Sequence, residues 1–76
     1  VQRQLTFKQL RPITSDLQSP FTMFKVPVDI RRPIVRKKFR CGHQAVAALR
    51  KLRLDPDHYY GAEVTDNNGI KVAEIE

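Results

Sequence analysis

Ala45, Ala48, Leu49 and Leu52 fall at i, i+3, i+4 and i+7, an apolar stripe that predicts one amphipathic helix near residues 43–54. Pro56 cannot continue a helix, so Leu54-Asp55-Pro56 marks its end. At 100° per residue His43, Ala47 and Arg50 lie opposite the stripe, with Lys51 and Arg53 on its flanks, so one face packs and the other is basic. The rest of the chain follows a period of two or consists of turn formers. One helix laid on a small sheet is therefore the expected architecture, an α+β fold with four to five strands, antiparallel or mixed, in the order β-β-β-α-β-β.

Leu5-Thr6-Phe7 alternates like a short strand and is followed by turn formers at Arg11-Pro12, Ser15-Asp16 and Ser19-Pro20. Residues 1–20 thus read as an N-terminal arm, and residues 21–76 as a single small domain. Phe24, Val26, Val28 and Ile30 recur at period two with Lys25 and Asp29 between them, the pattern of a half-buried strand, in which Pro27 calls for an edge or a bulge. Ile34 to Arg40 forms the second arm of a hairpin turning through Arg31-Arg32-Pro33, with its charged side chains in water. Tyr59 to Thr65 and Ile70 to Ile75 flank Asn68-Gly69, the strongest short hairpin signal. A two-residue loop there pairs Thr65 with Val72, Val64 with Ala73 and Ala62 with Ile75. Tyr60, Ala62, Val64, Ala73 and Ile75 then face the core, and Glu63 and Glu74 face outward. Ile70 and Val72 point away from the core in that register, which keeps a three-residue loop as the alternative.

A chain of 76 residues buries only about 60% of its extended surface and supports one modest core. No segment approaches the roughly 20 apolar residues of a bilayer span, so no membrane association is expected. The lone Cys41 cannot close an internal disulfide, which suits a reducing, intracellular and cytoplasmic setting and leaves stability to packing, a partner or a homodimer. The start at Val1, without a basic-then-apolar leader pattern, reads as a processed chain or an excised domain.

The net charge of +6 is unevenly placed. Residues 1–30 carry +2, residues 31–53 carry +9 and residues 54–76 carry −5. The middle block comprises Arg31, Arg32, Arg36, Lys37, Lys38, Arg40, Arg50, Lys51 and Arg53, with no Asp or Glu among its 23 residues. Such a block can be no more than a solvated face, and the acids downstream could neutralise it, Glu63 and Glu74 pairing with Arg36 or Lys38. Left unneutralised, a field of one sign attracts anionic partners and weakens with salt.

Enzymatic chemistry finds little support. Cys41 and His43 stand at the expected helix start, where a thiolate could be favoured, but residues two apart do not face one another and no Asn or Asp is placed to orient the histidine. Cys41, His43, His58 and Asp57 lack the paired spacings of a structural zinc site. Asp55 and Asp57 beside Pro56 are accounted for by turn chemistry. Gly42, Gly61 and Gly69 share no phosphate-binding motif. No catalytic residue, metal ligand or cofactor is assigned.

The expected function is a non-enzymatic binding module whose nine cations of residues 31–53 contact DNA or RNA phosphates. Each phosphate contact would lower the logarithm of affinity by about 0.9 per tenfold rise in salt on duplex DNA. Arg36, Lys38 and Arg40 would alternate with Lys37 and Phe39 along the strand, and an outward Tyr59 could stack on a base. One helix excludes a helix-turn-helix, and neither an RNP motif nor a GXXG loop is present, so sequence-specific readout has no support. The alternative is a module that binds an acidic protein.

The hairpin, the helix and exit Ala45 to Pro56 (AVAALRKLRLDP) and the later strands resemble the ubiquitin-like β-grasp layout over residues 21–76. The chain ends Ala73-Glu74-Ile75-Glu76, without the family's terminal Gly-Gly, so conjugation and sulfur transfer are not implied. The resemblance implies one mode of action, capture of an acidic protein surface by Arg36, Lys37, Lys38 and Arg40 with Arg50 and Arg53.

Overall fold

Ala62 and Val64 alternate with polar neighbours and find Ile75 and Ala73 directly opposite, and this pairing organises the sheet. The computed structural model describes residues 4–76: β1 (Phe7–Gln9), β2 (Phe21–Pro27), β3 (Arg36–Phe39), α1 (Gly42–Lys51), β4 (Tyr59–Thr65) and β5 (Lys71–Ile75). The strands form one sheet in the order β1-β5-β4-β2-β3, antiparallel at every pairing. The fold is a small α+β domain, and its sheet is antiparallel, not mixed.

The helix packs across one sheet face. Ala45 and Leu49 are fully buried, Val46 nearly so, and they join Phe21, Ala62, Val64, Val72, Ala73 and Ile75 in the core. Leu52 leaves the helix at its C-cap and packs from the following extended segment, so the helix stops at Lys51 and does not reach residue 54. Arg50 and Lys51 in the last turn complement the partial negative charge of the helix C-terminus. At the other end Gly42 meets Phe21 so closely that a Cβ would sit 2.9 Å from the ring. This contact fixes which face of β2 turns inward.

That face differs from the expected one. Phe21 and Met23 point to the helix side, Met23 opposite Val64, so Phe24 and Val26 lie on the open side. The strand ends at Pro27 instead of Ile30; Val28 and Ile30 are exposed, Ile30 at 95%. Period two marks alternation but leaves open which set of residues the neighbouring elements will cover. β3 likewise begins at Arg36, with Ile34 and Val35 exposed in the loop. The turn begins two residues earlier than expected, at Asp29 to Arg32 in place of Arg31 to Pro33, where the Arg32 amide donates to the Asp29 carbonyl at 3.0 Å.

The β4–β5 turn combines both expected registers. Gly69 takes φ +81°, and the Asp66 amide donates to Ile70, which makes Asn67-Asn68-Gly69 a three-residue loop. A bulge between Val64 and Thr65 then restores the Val64–Ala73 and Ala62–Ile75 pairs of the two-residue register. The extra residue is Val72, which becomes fully buried instead of pointing outward. Tyr60 departs from its expected core position and is 52% exposed, because a second bulge at Val26/Pro27 resets the pairing where β4 begins.

Asp66 ties the N-terminal segment to this turn. It is the one buried charged residue among those described, and its carboxylate accepts the amides of Asn68 (2.9 Å), Ile70 (2.8 Å) and Gln18 (3.2 Å). Desolvation pushes its pKa up, but these three donors and Arg11 outweigh it and hold the group below its ordinary value. The Asn67 amide returns a bond to the Gln18 carbonyl at 2.8 Å, and Leu17 enters the core. Residues 5–18 therefore pack on the same core as the rest.

Candidate nucleic-acid interface

Two sheet faces follow from the register. On the helix side Lys37 continues the row of Ala73, Val64 and Met23, with Phe39 opposite Phe21. On the open side Lys8, Glu74, Glu63, Phe24 and Arg36 form one row across all five strands, and Lys71, Thr65, Thr22 and Lys38 form the next. β3 is an edge strand, so its cations project from both faces beside an unpaired backbone edge.

The structure does not gather the nine cations into one patch. Arg31, Arg32, Arg36, Lys37, Lys38 and Arg40 occupy the β2–β3 loop, β3 and the bend after it, all exposed. Arg50, Lys51 and Arg53 lie at the far end of the helix, where the Arg50 guanidinium sits 4.9 Å from the Phe7 ring centre on β1. β1 and β3 are opposite edges of the sheet, about 19 Å apart at ordinary strand spacing. A ligand must reach around the domain to touch both groups.

The downstream acids do not neutralise the β3 group. Glu63 and Glu74 both face Lys71, at 3.6 and 3.5 Å, and the Coulombic pull of Glu63, opposed by desolvation and aided by Glu74, raises the Lys71 pKa. Asp55 accepts the Asp57 amide and meets His58 Nδ1 at 2.7 Å; these two contacts hold its carboxyl below its ordinary value. Of the nine cations, Arg31 alone meets a carboxylate among the described residues, at 3.2 Å from Asp29. The Arg31 side chain and then its amide lower the Asp29 pKa. Arg36 instead lies over Phe24 at 5.6 Å and Lys37 over Phe39 at 5.4 Å, which leaves their charge available to anions.

Beside β3 a groove of about 350 Å³ opens on the helix side of the sheet. Met23, Pro27, Tyr59, Pro33 and Val35 supply apolar walls, and Lys25, Arg32 and Lys37 are the charged groups lining it. No carboxylate lines it. Lys25 reaches over the Tyr59 ring at 5.3 Å. The groove is invisible in the sequence because it depends on loop 28–35 bending back beside β2; Tyr59, Arg32 and Lys37 stand out in the sequence, but nothing there places them together. Tyr59 is half-buried here, and Tyr60 is the more exposed of the pair.

Cys41 is exposed as the helix N-cap and makes no side-chain capping bond. No group of three or more His, Cys, Asp or Glu is arranged to hold a metal among the described residues. No described helix is long and apolar enough to cross a membrane. Comparison with protein-family models, with curated proteins and with solved structures gives no match. The β-grasp resemblance accordingly rests on the order of elements alone.

Proposed function

We propose that this domain is a non-enzymatic module that binds nucleic acid through phosphate contacts made by the β2–β3 hairpin. The observation that carries the reading is the run of cations along and beside one free sheet edge, Arg32, Arg36, Lys37, Lys38 and Arg40, none of which forms an ion pair with a carboxylate among the described residues. Arg50, Lys51 and Arg53 form a separate, secondary contact at the opposite edge. Phosphate oxygens suit such an array because positions along a charged backbone are interchangeable, and binding depends on the summed field more than on any one contact.

The free β3 edge favours a second reading, in which an extended acidic segment of a protein adds to the sheet, its backbone pairing with β3 and its carboxylates meeting Arg36 and Lys38. Titration of labelled mixed-sequence DNA and RNA at low and moderate salt separates the two. Nucleic-acid binding is expected to weaken steeply with salt and to be lost in an Arg36→Ala/Lys38→Ala/Arg40→Ala variant that keeps its circular dichroism spectrum. Absence of binding at low salt overturns the phosphate reading and leaves the acidic protein.

A further inference from the structure

We infer that the groove beside β3 receives an unstacked nucleobase, so that the domain prefers single-stranded nucleic acid to duplex. The inference rests on the phosphate-binding reading and specifies what else the same edge would grip. Three observations meet in the groove. Its volume, about 350 Å³, falls in the range of roughly 300 to 1,000 Å³ typical of small-ligand pockets. Its walls are the apolar surfaces of Met23, Pro27, Pro33 and Val35 and the ring of Tyr59, the kind of surface on which a flat heterocycle sheds water.

Its charge is of one sign. Lys25, Arg32 and Lys37 line it with no acid among the lining residues, so phosphates on either side of an inserted base would meet cations, with the Asp29 carboxylate the nearby charge of opposite sign beside Arg32. Arg36 and Lys38 project from the other face of the same edge strand and Arg40 follows its end, so phosphates leaving the groove would meet them by passing around that edge. A base held in duplex is stacked and paired, and reaching the groove would require its extrusion. A single strand presents its bases without that cost.

The occupant of opposite kind, a second copy of this chain, fits poorly. Antiparallel pairing of β3 with itself would set Arg36, Lys37 and Lys38 of one copy against the same residues of another. An apolar peptide would leave Lys25, Arg32 and Lys37 unmatched.

The test compares three labelled probes at one salt concentration: a single-stranded oligonucleotide, an abasic oligonucleotide of equal length with the same phosphates, and a duplex. The full chain is expected to bind the base-bearing strand about fivefold or more tightly than the abasic strand, the lower bound for one base stacked on an aromatic ring. Tyr59→Leu, which keeps an apolar wall but removes the ring, is expected to reduce that ratio toward one and leave affinity for the abasic strand unchanged. Val35→Ser, at an exposed loop position, is the second variant should Tyr59→Leu lose the native circular dichroism spectrum, and it is expected to reduce the ratio in the same way. Equal affinity for base-bearing and abasic strands in the unaltered protein overturns the groove while sparing phosphate binding. So does a preference that survives both substitutions. Failure to bind any probe overturns both readings together.

Discussion

The domain contains two antiparallel hairpins of contrasting construction. In β4–β5 every charge near the turn has a local partner: Asp66 caps three amides, and Lys71 lies between Glu63 and Glu74. Its loop is three residues long, and its inward side chains Ala62, Val64, Val72, Ala73 and Ile75 make up half the core. In β2–β3 the connection runs from residue 28 to 35, leaves Ile30 and Val35 at 95% and 78% exposure, and ends in a strand whose cations have no carboxylate partner among the described residues. Side chains that hold the fold are concentrated in one hairpin, and exposed cations without a carboxylate partner among the described residues are concentrated in the other. The edge position of β3 makes this division physically natural, since an edge strand contributes little burial and its Lys and Arg also discourage pairing with other chains.

A matched pair of substitutions tests that division most strongly. Val64→Ala removes two buried carbons and leaves a cavity, and is expected to lower unfolding free energy by about 2 to 3 kcal/mol in urea titration. Val35→Ala, the same change in the other hairpin, should move it by less than about 0.5 kcal/mol. Similar losses at both sites would erase the contrast. Gly69→Ala follows in size, at about 1 to 2 kcal/mol, because an L-residue is strained at positive φ although a Cβ there meets no atom.

The acid response is a finer probe. The folded pKa of Asp66 lies below its ordinary value of 3.8, so its stabilising effect is complete above that value and is lost as pH falls through the lower folded one. Asp66→Asn is expected to be less stable than the parent at neutral pH and to approach it in the acid limb, as read by thermal melts below pH 5. Lys71 works in the opposite sense. Its pKa is raised above 10.5, so its contribution persists up to that value and fades as pH rises through the folded one. The pair is partly exposed, and Lys71→Met should cost at most about 1 kcal/mol at pH 7.

The helix stripe and the core pairing of β4 with β5 were legible because each is a local pattern with a fixed period. Ala45 and Leu49 face inward for the reason their spacing implies, and Asn68-Gly69 announces its turn through the φ that glycine tolerates. Val72 was misread because a bulge shifts the side-chain period by one, and one inserted residue leaves no mark in hydrophobicity. Asp66 carries no local mark of its role, which depends on Gln18, 48 positions away. For the proposed binding surface, the sequence points to nine cations as one block, whereas the fold divides them between two edges.

What the sequence by itself determined is the set of elements and the unbalanced charge, since periodicity, turn chemistry and composition act within a few residues. Tertiary structure alone decided which side of β2 turns inward, where Phe21 meets Gly42, and that Glu63 and Glu74 engage Lys71 in place of Arg36 and Lys38. It also decided that Tyr59, Val35 and Lys25 share one groove. The physical reason is that each depends on distant parts of the chain. Strand alternation offers β2 two faces of nearly equal local merit, which only the elements packed against it choose between. The partner of Glu63 and Glu74 and the lining of the groove follow from which strands and loops the sheet order sets side by side.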